Sequence, residues 1–269
     1  MFKIKIDYLD LEQIANSGQC FRWKKIGDNT YNVITNGESV NITQTGNEFE
    51  FSCDEEKWNT VWKNYLDIDT DYGAIAKLIE ESGDEHLKEA FALGSGIRIL
   101  KQDLWEMIVT FMISQNNNIK RITGSVDMLC SRCGGLISQE EALYAFPLPN
   151  QVSKEIFEDK TMGFGYRANY LLEMYEFAAK NPDWVDKLRE MSYDEAMNEL
   201  LLRKGIGKKV ANCICLFGLH HVDAFPIDTH VKQLLEKYYK DGFDFERYAG
   251  VAGIIQQYLF YYELKKGKN

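Results

Sequence analysis

The chain reads as an α+β protein: a small N-terminal antiparallel sheet domain with some helix, followed by an all-helical domain. Three observations predict this. Alternating runs rich in β-branched and aromatic residues occur only in roughly the first 55 residues. From about Glu56 onward the apolar residues recur at helical spacing instead. Between two of those helical runs lies a tight turn holding Gly205 and Gly207, as two packed helices joined by a hairpin require.

The strands come first. FKIKIDY, YNVIT, SVNIT and EFEFS alternate, and Gly, Asn and Asp punctuate them. DLWEMIVTFMISQ, YRANYLLEMYEFAAK, YDEAMNELLLRK, KVANCICLFGL and VAGIIQQYLFYYEL follow as helices. Ser192 with Glu195, and Ser138 with Glu141, have capping-box spacing and are expected to open helices. Pro182 and Pro226 stand where helices begin. The division falls at residues 1–97 and 98–269, with GSGIRIL (94–100) compatible with either side. There is no internal repeat and no low-complexity segment.

Composition removes several classes. A chain of 269 residues with 45% hydrophobic content can bury a core and is not disordered. No apolar run reaches membrane-spanning length, and MFKIKIDYLD lacks the apolar stretch of a signal peptide. The expected location is the cytoplasm, or the nucleus where one exists. The six cysteines are too sparse for a disulfide scaffold. Cys130 and Cys133 form a lone pair without zinc spacing, and no cysteine follows Cys215 to build an iron–sulfur loop. No metal site is expected. The net charge of −10 argues against a nucleic-acid partner, but it is uneven. Acids crowd residues 67–90, whereas Arg203, Lys204, Lys208 and Lys209 cluster at the hairpin and Lys265, Lys266 and Lys268 at the tail. A local basic face would give moderate DNA affinity with a shallow salt dependence.

The hairpin supplies the chemistry. Bare backbone N–H groups at a glycine turn suit a phosphate. Gly205 and Gly207 tolerate backbone angles that other residues resist. Lys209 shares a helix face with Cys213, and Lys208 shares one with Asn212. A pocket for a flat, apolar ring wants the thiol-lined face, so Lys209 is the nucleophile and Lys208 faces solvent or phosphate. An amine attacks only when neutral, and a first-turn position, a neighbouring ammonium and a dry pocket all favour loss of its proton. Asp228, 19 residues beyond Lys209, suits a helix N-cap. A carboxylate held there stays ionised and can stabilise positive charge on a departing sugar. His230 can reach a phosphate.

These features resemble the helix-hairpin-helix glycosylase superfamily. S-G-Q-C-F-R-W (17–23), S-Q-N-N-N-I-K-R-I-T (114–123), G-F-G-Y-R-A (163–168), G-I-G-K-K-V-A-N-C (205–213), F-P-I-D-T-H (225–230) and G-I-I-Q-Q-Y-L-F (253–260) are similar to the 8-oxoguanine DNA glycosylases of the eukaryotic type, in order along nearly the whole chain. The resemblance implies a bifunctional glycosylase and abasic-site lyase. It would remove 8-oxoguanine, and formamidopyrimidine-guanine, from duplex DNA through a lysine Schiff base. Independently of the resemblance, a monomer is the default expectation, the lack of a long apolar run argues against a membrane, and the chemistry requires no cofactor. The resemblance also implies that the Gly18 carbonyl meets the hydrogen that 8-oxoguanine carries on N7. Cys213 and Phe260 would sandwich the everted base, and Gln256 would read its pairing edge. Asn116, Arg121 and Arg167 would hold the orphaned cytosine, with Tyr166 as the wedge. On spacing alone, Phe260 among its tyrosines reads as core, and Gly18 as a turn between strands. Two positions depart from the pattern: Asn212 replaces an expected acid, and Glu263 stands where a shorter aspartate is usual. The rival readings are a hairpin glycosylase for alkylated bases or oxidised pyrimidines, and a non-catalytic hairpin that only clamps phosphate.

Overall fold

A computed structural model describes residues 1–266, so Lys268 of the basic tail lies outside the described residues. The chain opens with β1 (Phe2–Lys5) and α1 (Leu11–Ala15), followed by β2 (Trp23–Gly27), β3 (Thr30–Thr35), β4 (Glu38–Thr45) and β5 (Glu48–Phe51). The five strands form one antiparallel sheet in the order β1-β5-β4-β3-β2. Val33, Ile42, Phe49 and Phe51 turn inward at their alternate positions. They pack on Trp58, Trp62 and Tyr65, from the helical run α2 (Glu55–Lys57), a π-turn at Trp58–Trp62 and α3 (Lys63–Tyr65).

Helices then follow almost without break: α4 (Tyr72–Glu80), α5 (Glu85–Gly94), α6 (Leu104–Ile113) and α7 (Ile119–Cys133). A small ladder, β6 (Leu136–Ser138) with β7 (Leu143–Tyr144), precedes α8 (Lys154–Glu158), α9 (Ala168–Lys180) and α10 (Trp184–Arg189). The chain continues through α11 (Tyr193–Leu201), α12 (Lys208–Phe217), α13 (Thr229–Tyr238) and α14 (Ala252–Lys266). α6 is buried on every side and forms the axis of this half. α14 packs against α5 and α13.

One local expectation needs correction. Ser138 Oγ accepts from Glu141 N–H at 3.3 Å, yet the segment closes the β6–β7 ladder and opens no helix. By contrast, Ser192 and Glu195 form a reciprocal capping box at the start of α11. Pro182 and Pro226 stand at helix starts as expected, one and two residues before the N-caps Asp183 and Asp228. β2 was absent from the strands read in the sequence.

The two cores do not divide the chain at a single point. Side chains of α4 and α5, such as Ile75, Ile79 and Leu87, belong to the helical core, while Leu100 belongs to the sheet core. Buried polar groups seal the seam. Arg98 donates to the carbonyls of Asp7, Tyr8 and Asp67 at 2.8, 3.0 and 2.8 Å. The Asp67 carboxylate has no exposed surface and meets Lys101 at 3.0 Å and His220 at 3.4 Å. Burial works to raise its pKa, but hydrogen bonds and electrostatic attraction from His220 and Lys101 overcome that and hold it at about 2.

Candidate active site

The hairpin between α11 and α12 is built as its glycines require. Gly205 has φ +84°, and a Cβ there would lie 2.6 Å from the Tyr170 ring. Gly207 differs from the expectation: its φ of −96° is open to any residue. It is the N-cap of α12, with no side-chain cap and open space where a Cβ would sit. The first N–H groups of α12 are therefore uncapped and approachable, as an anion site needs. Lys208 is exposed beside them. Arg203 pairs with Glu199 and lies 4.1 Å over the Phe177 ring, and Lys204 pairs with Glu173. Half of the basic cluster thus braces the fold.

Lys209 turns inward from the same first turn. It lines a cleft with Gly18, Cys213, Asp228, Gln256 and Phe260, closed by Phe111, Phe217, Pro226 and Gln257. The amine lies 5.7 Å from the Phe111 ring centroid. Burial pushes the Cys213 thiol up, and neighbouring Lys209 pulls it the other way, so Cys213 faces the cleft as a neutral, polarisable wall. Asp228 accepts from Val231 N–H at 2.9 Å as the N-cap of α13. Lys209 and Asp228 both lie close enough to act electrostatically on Cys213, and neither is in an ion pair among the described residues. Gln256 is buried; its Nε2 donates to Pro226 O at 3.0 Å, and its Oε1 has no partner. An unpartnered buried amide oxygen is costly unless a ligand's donor completes it. Gly18 has φ +80°, and a Cβ there would lie 3.3 Å from the Phe260 ring. The free space is about 40 Å³, so the cleft is narrow in this conformation, with Phe260 close against Gly18.

A second group lies at the loop before α7. Asn116 is exposed with φ +46°, and its Nδ2 donates to Tyr166 Oη at 3.2 Å. Tyr166 is 54% exposed, as a wedge must be. Arg121 is exposed in the first turn of α7. Arg167 is otherwise engaged. It is buried and donates to the carbonyls of Gln115, Asn116 and Phe164, which leaves little for an orphaned base in this conformation. It holds the loop that presents Asn116. His230 is exposed, and Glu263 Oε1 is buried without a partner. Asn212 accepts from Tyr193 Oη at 2.8 Å and donates to Lys208 O at 3.0 Å; an ionised acid could not donate that second bond.

Residue patterns did not reveal Phe111, Phe217 or Gln257. The two phenylalanines look like ordinary core positions. Two adjacent glutamines in the otherwise apolar run of α14 were the available signal for the last. A larger groove of about 540 Å³ lies between the sheet and α7, lined by Arg22, Lys24 and Asp127 among others, and shares no residue with the Lys209 cleft. No group of three or more potential metal ligands occurs among the described residues, nor any helix long and apolar enough to cross a membrane.

A sheet domain joined to helices around a glycine hairpin, a buried-face lysine and an N-capping aspartate defines a helix-hairpin-helix protein of the glycosylase type. Residues 1–108 match the family model for the 8-oxoguanine DNA glycosylase N-terminal domain. The N-glycosylase/DNA lyase OGG1 of Arabidopsis thaliana is 30% identical over 267 residues, covering 88% of this chain and 68% of that one. The N-glycosylase/DNA lyase of Saccharomyces cerevisiae is 35% identical over 159 residues, but the match spans 54% of this chain and 42% of the yeast protein. The Clostridium acetobutylicum 8-oxoguanine glycosylase/lyase, solved with duplex DNA containing cytosine opposite 8-oxoguanine, superposes with a TM-score of 0.89 at 30% identity over 99% of both chains. The chain belongs to the 8-oxoguanine DNA glycosylase family.

Proposed function

We propose that this chain is a bifunctional DNA glycosylase and abasic-site lyase that everts 8-oxoguanine from duplex DNA and removes it; formamidopyrimidine-guanine is expected as a second substrate. The observation that carries this is the convergence of Lys209, Cys213, Asp228, Gln256, Phe260 and Gly18, from four separate stretches of sequence, on one cleft.

The uncapped N–H groups of α12 and the glycines of the hairpin seat a backbone phosphate, with His230 at a neighbouring one. The base enters between Cys213 and Phe260. The Gly18 carbonyl attracts the N7 hydrogen of 8-oxoguanine and repels the N7 lone pair of guanine. Gln256 Oε1 accepts from the pairing edge. Neutral Lys209 Nζ attacks C1′, the C1′–N9 bond breaks, and its electron pair leaves with the base. Asp228 stabilises the cationic sugar. The bound nitrogen sheds a proton to leave a closed-ring aminal at C1′; the C1′–O4′ bond then breaks, O4′ takes up a proton, and the opened sugar holds a protonated Schiff base to Lys209. A C2′ proton is lost next, and the C3′–O bond breaks with its electron pair leaving on the 3′ phosphate. Asn116, Arg121 and Tyr166 fill and hold the vacated stack, and Arg167 steadies their loop. Residues 1–97 contribute Gly18 and residues 98–269 the remaining groups. One copy of the chain carries every group the reaction uses, acting wherever chromosomal DNA lies. The chemistry calls for no cofactor.

Borohydride should trap a covalent adduct with an 8-oxoguanine:cytosine duplex, and Lys209→Gln should abolish both adduct and nicking. A full-yield adduct from that variant would refute the assignment.

A further inference from the structure

We infer that Gln257 is a positioning residue for lesion discrimination, holding the Gly18 turn so that its carbonyl is presented to the cleft. This rests on reading the cleft as the 8-oxoguanine pocket.

Gln257 is 2% exposed, and its Nε2 donates to Ser17 O at 2.6 Å across 240 residues of sequence. Ser17 O and Gly18 N belong to one peptide plane, so this bond fixes the plane entering Gly18. The plane leaving Gln19 is fixed as well: Gln102 Nε2 donates to Gln19 O at 2.8 Å. The Gln19 side chain spans the turn, accepting from Leu100 N–H and donating to Arg98 O, both at 2.9 Å. The plane between, which carries the Gly18 carbonyl, is suspended between two held neighbours. That carbonyl accepts no hydrogen bond among the described residues, although Gly18 lines the cleft. An acceptor kept free, on a turn whose flanking carbonyls are both bonded by glutamines, is set up to meet an external donor.

Gln256 and Gln257 are successive residues of α14 that point to different partners, Pro226 O and Ser17 O. One helix thus registers the reader of the base edge against the reader of N7. Discrimination between N7–H and an N7 lone pair depends on the placement of one carbonyl. Attack by Lys209, from α12, does not. Loosening Gln257 therefore strikes recognition more than chemistry.

Gln257→Met keeps the side chain's length and removes the donor. It should slow single-turnover excision from an 8-oxoguanine:cytosine duplex by roughly tenfold, the scale of one buried hydrogen bond. In a Lys209→Gln background it should lower the ratio of affinities for 8-oxoguanine:cytosine over guanine:cytosine duplexes by a similar factor. Borohydride trapping on an abasic-site duplex, which holds no base to read, should fall by much less. Gln257→Glu serves as a second variant: its activity relative to wild type should rise as pH falls, because only the protonated acid can donate to Ser17 O. Parallel losses in excision and abasic trapping, or an unchanged affinity ratio, would overturn the inference while leaving the functional reading intact. A wild-type chain inert on 8-oxoguanine would overturn both.

Discussion

The proposed function gives Asp228 two duties that substitution can separate. Its carboxylate caps α13 through Val231 N–H and also lines the cleft with Lys209. Asparagine caps a helix as well as aspartate does but has no charge. Asp228→Asn should therefore keep the melting temperature and lose roughly 10²-fold or more in single-turnover excision, the usual scale for losing one preorganised electrostatic group. Asp228→Ala should lose the rate and also about 1 kcal/mol of stability. Equal melting temperatures for the two variants would remove the capping duty; an active Asp228→Asn would remove the electrostatic one. Asp and its spacing from Lys209 were readable in the chain. The cleft's Phe111 and Phe217 were not, because a ring that lines a pocket and one that fills a core have the same helical period.

At the scale of elements, the two hairpin glycines are not equivalent. A Cβ on Gly205 meets the Tyr170 ring at 2.6 Å on top of a left-handed φ, so Gly205→Ala should cost about 1–3 kcal/mol from the backbone angle alone, and more from the clash. Gly207 is extended with open space, so Gly207→Ala should cost under about 1 kcal/mol as a weaker N-cap. It should still weaken DNA binding, because the methyl group stands where the phosphate approaches. Chemical denaturation and a DNA titration on both variants check this. The Arg167 clamp makes a further prediction. Arg167→Ala frees the loop of Asn116, so excision should fall more with cytosine opposite 8-oxoguanine than with adenine, measured on four duplexes differing only in that base. Strand legibility followed burial: β4 and β5 bury alternate residues and β3 is mostly buried, but β2 is an edge strand exposed at four of its five residues and showed no alternation.

Across the whole molecule, charge decides both stability and affinity. Asp67, held at about 2 against an unfolded value of 3.8, favours the folded state above about pH 4, and that contribution is lost as pH falls from about 4 towards 2. Asp67→Asn should lower stability at neutral pH by on the order of 2 kcal/mol and flatten the acid limb of a stability-against-pH curve. For DNA, the pairing of Arg203 and Lys204 leaves Lys120, Arg121 and Lys208 exposed and in no ion pair among the described residues. Neutralising about three phosphates gives a slope of log affinity against log salt of roughly −3. A slope near −8 would show that many more cations reach the duplex.

The linear chain by itself determined the α+β order, the hairpin with its lysine, the capping aspartate and the motifs of the family, since each is a local pattern of period, spacing or residue type. Tertiary structure alone decided which of those groups meet. It bonded Ser17 O to Gln257, 240 residues away, and left the Gly18 carbonyl and the Gln256 amide oxygen without partners among the described residues. It also spent Arg167 on a loop and set a buried aspartate as the lock between sheet and helices. The reason is that hydrogen-bond satisfaction and burial are properties of neighbours in space, and no spacing along a chain encodes which distant donor will find a given acceptor.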